Sequence, residues 1–338
     1  MRQIVCMEPQ QLVLANVSEP QRKPGEALVR IRRIGICGTD IHAYRGEQPF
    51  FTYPRVLGHE LAGVIEAIDD DDPSMLHVGD QVSIIPYLHC GTCLACRRGK
   101  TNCCSQMRVM GVHVDGGMGE WLCVPTGQLV ATAGLSLEQS ALIEALAIGA
   151  HAVGRAEITS GDTVLVVGAG PIGLGVMAFA KHRGAQVIAM DLNERRLQVC
   201  RDWARVDVAL DARDRPQDQL AAWTAGEFPV CVFDATGHPG SMAASVQRVA
   251  HGGTLVYVGL VQGDVCFPDG EFHKRELTLM GSRNATREDF EQVRAAVAGG
   301  IIDVEGYVTH RVGLDEVASN FESLTAADAH LIKAVIEL

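Results

Sequence analysis

The sequence predicts an α/β protein of two domains, a doubly wound parallel sheet and a β-rich domain supplied by two separated stretches of chain. Three observations carry this. The apolar run Thr163-Val164-Leu165-Val166-Val167 leads directly into Gly168-Ala169-Gly170-Pro171-Ile172-Gly173, which reads as a buried parallel strand followed by a glycine turn that opens a helix. Strand and helix patterns then alternate as far as Gly281, the rhythm of a doubly wound sheet. Before that, short strands separated by turns occupy the first third of the chain and read as an all-β barrel with loops. The expected division is residues 1–147 with 282–338 for the β-rich domain and 148–281 for the parallel sheet.

A chain of 338 residues suits two domains. Its net charge of −12 and scattered basic residues argue against a nucleic-acid or anionic-membrane partner. Met1-Arg2-Gln3-Ile4-Val5 enters strand-like sequence at once, and no apolar run reaches membrane-spanning length. A cytoplasmic protein is expected. Eleven cysteines in such a chain point to metal ligands and buried thiols rather than disulfides.

In order along the chain, Lys23-Pro24-Gly25-Glu26 is a turn before the strand Ala27–Ile31, and residues 61–68 and 78–85 continue the sheet. The acidic run Asp69–Asp72 reads as a solvated loop. Cys37-Gly38-Thr39-Asp40-Ile41-His42 puts a thiol, a hydroxyl and an imidazole within six residues, and Gly58-His59-Glu60 adds a nitrogen donor beside a carboxylate. Singly, Cys37 and His59 would be an ordinary core thiol and a satisfied imidazole. Together they are two ligands of a catalytic zinc site, which takes three protein ligands and keeps one position open. Glu144 supplies a third: it sits among Ala141, Leu142, Ile143, Ala145 and Leu146, where a bare carboxylate is costly and a paired or metal-bound one is not. Ser136 is the expected cap of this helix, with Glu138 supporting its start.

Cys90, Cys93, Cys96 and Cys104 form a second, closed set. Four thiolates at such spacing make a structural zinc site with no open position. Cys103 adjoins Cys104 and is an alternative fourth ligand, and iron–sulfur ligation is a lesser alternative for the cluster.

The glycines at 168, 170 and 173 permit a tight turn, close approach of backbone to a pyrophosphate, and close helix–strand packing. The helix over 171–183 presents its free N–H groups to the phosphates. The next strand, Gln186–Met190, ends at Asp191, near the spacing at which a carboxylate meets ribose hydroxyls. This is the dinucleotide-binding, or Rossmann, arrangement. Arg195 and Arg196 follow as a helix start able to stack on adenine or meet a 2′-phosphate, and the strand 230–234 runs into Ala235-Thr236-Gly237. A helix over 241–250, strands over 253–259 and 276–281, a helix over 287–299 and a final strand over 333–337 complete the reading, the last stretch rejoining the first domain.

These motifs together resemble those of the zinc-dependent medium-chain dehydrogenases. The likeness rests on Gly35-Ile36-Cys37-Gly38-Thr39-Asp40-x-His42, Gly58-His59-Glu60, Val78-Gly79-Asp80-x-Val82, the four-cysteine lobe and Gly168 to Gly173, all in order. Within that family the polyol and sugar-acid branch is most similar, through Tyr53-Pro54-Arg55-Val56-Leu57-Gly58-His59-Glu60, Glu144 in place of a cysteine, and Gly281-Ser282-Arg283-Asn284-Ala285-Thr286. Ala145 departs from the proline that many relatives carry after the glutamate. The resemblance implies a GroES-like β-rich catalytic domain and favours Cys104 over Cys103 in the lobe. It implies one catalytic and one structural zinc per chain, with NAD as hydride acceptor. Cys37, His59 and Glu144 would hold the catalytic ion, and Glu60 would bind the ion or its water. Thr39 would take the alcohol proton and pass it through the cofactor ribose to His42, and Asp40 would orient His59. Gly168, Gly170, Pro171, Ile172, Gly173, Asp191, Arg196 and Thr236 would contact the cofactor.

The expected activity is oxidation of a secondary alcohol, a polyol or a sugar acid of the L-galactonate kind, with threonine or a simple alcohol as the competing substrate class. Arg283, at the point where the chain leaves the nucleotide domain, is a candidate to reach the cleft between domains and hold a carboxylate or several hydroxyls, or else to pair with the cofactor phosphate or a surface acid; Arg45 and Arg55 are further candidates for anion recognition, or braces of their loops. His89 and His113 are expected to be structural. A zinc-free quinone reductase would need neither ligand set, and a non-enzymatic nucleotide sensor would not be expected to keep Thr39 and His42. The family also implies a homotetramer or homodimer.

Overall fold

The computed structural model describes residues 1–48, 51–70, 72–326 and 329–338; Asp71, in the acidic run, lies outside the described residues. The chain divides into two compact units, Met1–Ala145 with Thr286–Leu338, and Leu146–Ala285. No helix among the described residues is long and apolar enough to cross a membrane.

The first unit is built on strand Glu26–Ile36. The sequence pattern marks only Ala27–Ile31 as strand, but the segment has partners along its whole length. Its first half pairs with Trp121–Pro125, its second half with Ala334–Glu337, and its other edge with Glu60–Ala67. Gln81–Ile84 and Leu129–Ala131 extend the sheet at one end and His310–Gly313 at the other. A separate three-stranded sheet joins Gln11–Asn16, Arg2–Glu8 and Arg55–Val56. The core between these elements holds Ile4, Ile31, Ile34, Leu57, Leu61 and Ile65, each essentially inaccessible to solvent. In the acidic run Asp70 is exposed, while Asp69 and Asp72 are tied down. Asp69 accepts from Arg22 and from the backbone N–H of Gly25 at 2.8 Å, and Asp72 accepts from the N–H of Ser74.

Ser136 caps Leu137–Ala141 as expected, but the reciprocal bond comes from Gln139, not Glu138. Glu138 instead pairs with Arg311 at 2.7 Å. The helical stretch breaks at Leu142 and restarts as Ile143–Arg155.

The second unit is a six-stranded, all-parallel sheet in the order Val208–Asp211, Gln186–Asp191, Thr163–Val167, Cys231–Asp234, Thr254–Tyr257, Thr278–Gly281. Strand order reverses beside Thr163–Val167, the place where such sheets open a crevice for ligands at their carboxyl ends. The helix expected over 241–250 is shorter, Pro239–Ser245 followed by a 3₁₀ turn. Proline at its first position pre-sets the entry, and His238 accepts from the N–H of Ser241 ahead of it.

Gly149 lies against the backbone of Gly175, on the helix Pro171–His182: a Cβ at 149 would stand 2.5 Å from the Gly175 carbonyl carbon. The two helices therefore touch through their backbones. Gly149→Ala should force them apart at a cost of about 1–3 kcal/mol, read as a lowered Tm in thermal unfolding. A Tm equal to that of the wild type would show that the contact is not close.

Candidate active site and metal centres

Cys37 stands at the start of helix Gly38–Arg45 in an extended conformation. The Asp40 carboxylate, completely buried, fixes this start. It accepts from the backbone N–H of Cys37 at 2.9 Å and from that of Gly58 at 3.2 Å. One side chain thus clamps the two segments that carry Cys37 and His59. Asp40 Oδ1 also lies 3.7 Å from His59 Nδ1, which suits an orienting role. Burial raises the Asp40 pKa, against the pull of His59.

Ligand atoms of Cys37, His59 and Glu60 all lie within 4.8 Å of one another. His59 is buried, and its Nδ1 has no hydrogen-bond partner. Burial alone would lower the imidazole pKa, but Asp40, Cys37 and Glu144 outweigh it and hold it well above the usual value. A half-buried thiol and a buried imidazole and carboxylate converging on one point, inside an excess of negative charge, fit a zinc ion.

Two carboxylates flank this point and are held differently. Glu60 sits opposite Gly35 across the strand pair. A Cβ at residue 35 would fall 1.9 Å from Glu60 Oε2, so only glycine lets the carboxylate lie across that strand. There it meets Lys333 Nζ at 2.6 and 2.8 Å. Glu144 accepts from the Tyr87 hydroxyl, and Phe290 packs edge-on to the Tyr87 ring at 6.3 Å. Burial pushes the Glu144 pKa up to about 7, with Glu60 adding to the rise and His59 opposing it. Glu144 lies outside the tight group, so the structure gathers Glu60 rather than Glu144 with Cys37 and His59. Lys333, Tyr87 and the fully buried Tyr307 are neighbours that sequence reading did not single out. The signal for Lys333 was a lysine opening an apolar strand.

Cys90, Cys93, Cys96 and Cys104 also have their sulfurs within 4.8 Å of one another. The Cys93 and Cys96 sulfurs are 3.4 Å apart, close to the roughly 3.8 Å of a tetrahedral zinc tetrathiolate with bonds of about 2.3 Å. Backbone N–H groups of Cys90, Cys93, Cys96 and Gln106 point at these sulfurs. The N–H of Cys96 brings the Cys93 thiol down to about 5, and the Thr92 hydroxyl brings Cys90 down to about 7. Burial and the neighbouring Cys93 push Cys96 up to about 12. Cys104 is buried in the cluster and Cys103 is exposed.

In the second unit, Gly168 has φ +97, and a Cβ there would press on Thr236 at 3.1 Å. A Cβ on Gly173 would lie 1.8 Å from the Gly168 carbonyl oxygen. Gly170 caps the helix that Pro171 and Ile172 begin. Asp191 accepts from the N–H of Ala169 at 2.6 Å and from that of Asn193 at 2.8 Å, so its carboxylate is fixed beside the glycine turn. Arg196 lies in the first turn of the following helix, its N–H donating to Asn193. Thr236 is held by the buried Asp234 through its N–H and hydroxyl.

Thr39 and His42 lie one turn apart on helix Gly38–Arg45, on one face. His42 Nδ1 is 2.9 Å from Glu47 Oε2. Two expected anion-recognition arginines are otherwise engaged. Arg45 donates to the Thr325 carbonyl, and Arg55 binds Asp115 and the Thr52 hydroxyl. Arg283 is exposed in the second unit, two residues past strand Thr278–Gly281. His113 Nδ1 accepts from the N–H of Val109, a structural contact.

Residues 23–134 match the model of the alcohol dehydrogenase GroES-like domain, and residues 171–299 that of the zinc-binding dehydrogenases. The chain is 44% identical to L-galactonate-5-dehydrogenase of Escherichia coli over 99% of its own length and 98% of that protein. It is 33% identical to D-altritol 5-dehydrogenase of Agrobacterium fabrum, covering 95% of each. Among solved structures, an alcohol dehydrogenase from Escherichia coli complexed with NADH superposes with a TM-score of 0.93 at 31% identity, covering 100% of this chain and 99% of that one. With the GroES-like and dinucleotide-binding halves both matched, the chain belongs to the zinc-dependent alcohol dehydrogenases of the medium-chain family.

Proposed function

We propose that the chain is an NAD-dependent dehydrogenase that oxidises a secondary hydroxyl of a sugar acid, an aldonate of the L-galactonate kind, with polyols as the neighbouring substrate class. The observation that carries this reading is the end-to-end, 44% identity with L-galactonate-5-dehydrogenase, in a chain that keeps the Cys37, His59 and Glu60 cluster. A threonine or simple alcohol substrate is the competing reading.

Cys37, His59 and Glu60 would hold the catalytic zinc, with Glu144 facing it from the Tyr87 side; Cys90, Cys93, Cys96 and Cys104 would hold the structural one. Zinc at the first site supplies a Lewis acid that lowers the pKa of the substrate hydroxyl. The protein handles the proton. Thr39 accepts it at its hydroxyl oxygen while releasing its own, and His42 carries it toward solvent, its ring steadied by Glu47. Asp40 keeps the His59 ring in place. In the second unit, the Gly168–Gly173 turn would seat the pyrophosphate, with Arg196 and Thr236 beside it. Asp191 would accept from the adenosine ribose hydroxyls and repel a 2′-phosphate. Arg283 would offer its guanidinium to the substrate carboxylate.

A cytoplasmic setting belongs to the same reading, which uses five of the eleven cysteines as metal ligands and none in a disulfide. So does a homodimer or homotetramer. Strand Thr278–Gly281 is the edge of the parallel sheet, with Thr278, Leu279 and Gly281 exposed, an edge a second copy would cover.

Three measurements check this. Elemental analysis should find about two zinc ions per chain. Cys37→Ala should lose one of them, along with nearly all turnover, and stay folded, whereas Cys96→Ala should lose the other and lower the Tm. Full activity after exhaustive chelation would end the zinc reading. For the cofactor, kcat/KM with NAD should exceed that with NADP at least about tenfold, from like-charge repulsion at Asp191, and Asp191→Ala should narrow the gap; wild-type parity would refute the assignment. Among aldonates, polyols, threonine and ethanol, an aldonate should give the highest kcat/KM, and Arg283→Ala should raise its KM about tenfold or more. Ethanol as the best substrate would overturn the substrate class. An unchanged KM would remove only Arg283.

A further inference from the structure

We propose that Lys333 is the resident counter-cation of the Cys37, His59 and Glu60 pocket, a positioning residue that shares Glu60 with the metal and sets how readily the metal leaves. The proposal rests on the zinc reading of that pocket.

Among the described residues, Lys333 is the only buried lysine or arginine. Its side chain is 1% exposed and that of Glu60 is fully buried. The ammonium donates to both Glu60 oxygens, at 2.6 and 2.8 Å, and to the Ile36 carbonyl at 3.2 Å. That carbonyl belongs to the residue just before Cys37. Ala334 lies opposite Ile36, and Glu60 opposite Gly35. The bare backbone at Gly35 leaves the space through which the carboxylate and the ammonium meet. Asp40, Glu60, Glu144 and the Cys37 thiol all crowd the same buried region, and Lys333 is the permanent positive charge set among them.

Both Glu60 oxygens already have a strong donor, so a metal ion draws on Glu60 in competition with the ammonium. Two consequences follow. Removing a unit positive charge beside a cation site makes the site bind its cation more firmly. Removing one partner of a buried ion pair strands the other, but only while no metal is present to replace it. Lys333 thereby keeps the metal-free pocket foldable and the loaded pocket exchangeable. A lysine needed only for packing would do neither selectively.

The test uses the full-length protein as wild type, Lys333→Met, Glu60→Gln and the double variant. Zinc release to a chromogenic chelator is followed in time, and the Tm is measured with and without zinc. The phase missing in Cys37→Ala identifies the pocket ion. In Lys333→Met that phase should slow at least about tenfold. The Tm of the metal-depleted protein should fall well beyond that of the zinc-loaded protein, and adding Glu60→Gln should restore much of the depleted Tm. Should Lys333→Met not fold, the double variant is compared with Glu60→Gln alone and should release the pocket zinc more slowly. Release that is unchanged or faster, or equal Tm losses in both states, would overturn the role of Lys333 while leaving the zinc reading intact. A wild-type chain that releases only one zinc would remove the pocket reading and this proposal with it.

Discussion

Strand Glu26–Ile36 is hydrogen-bonded on both edges, and the metal pocket depends on that pairing. Its last residues lie between Glu60–Leu61 on one side and Ala334–Val335 on the other. Side chains alternate faces along a strand, so a slip of one residue would turn Glu60 away from Gly35 and leave Lys333 buried without a partner. The register is therefore specified by more than the apolar core. An ion pair with no water to fall back on enforces it too, since the stranded charge would cost several kcal/mol.

The same region shows how two carboxylates of identical chemistry are given different characters. Glu60 has an ammonium on both oxygens. Glu144 has a neutral phenol, and burial lifts its pKa to about 7. The neighbours, not the side chain itself, make the two environments unlike. The two also differ in place: Glu60, not Glu144, lies in the tight group with Cys37 and His59.

Features written in local sequence were legible. The strand Thr163–Val167, the glycine turn and the strand ending at Asp191 lie where their residues put them. Each depends on neighbours a few residues away, and their physics is that of apolar runs and glycine φ angles. The cysteine lobe was legible for the same reason, except that Cys103 and Cys104 are indistinguishable by spacing. A 3₁₀ turn over Thr101–Cys103 leaves the first exposed and buries the second. Lys333 was not legible as part of the site, because 273 residues separate it from Glu60 and only the strand register joins them. Arg45 and Arg55 were open between anion recognition and bracing a loop for a related reason. A guanidinium near a metal motif looks like a ligand clamp until its carbonyl and carboxylate partners are seen.

The two ligand sets differ in how much chain they need. The cysteine lobe is complete once residue 104 has been made, and its closure spans few residues, so it carries a small loop entropy. The Cys37, His59 and Glu60 set is also close in sequence, but its ammonium comes from Lys333, 273 residues after Glu60. The lobe can therefore close on its own, whereas the pocket keeps an uncompensated anionic set until strand Ala334–Glu337 docks. Docking of strand Ala334–Glu337 closes the sheet and brings the Lys333 ammonium to Glu60 in the same event, so one strand pairing both finishes the sheet and readies the site.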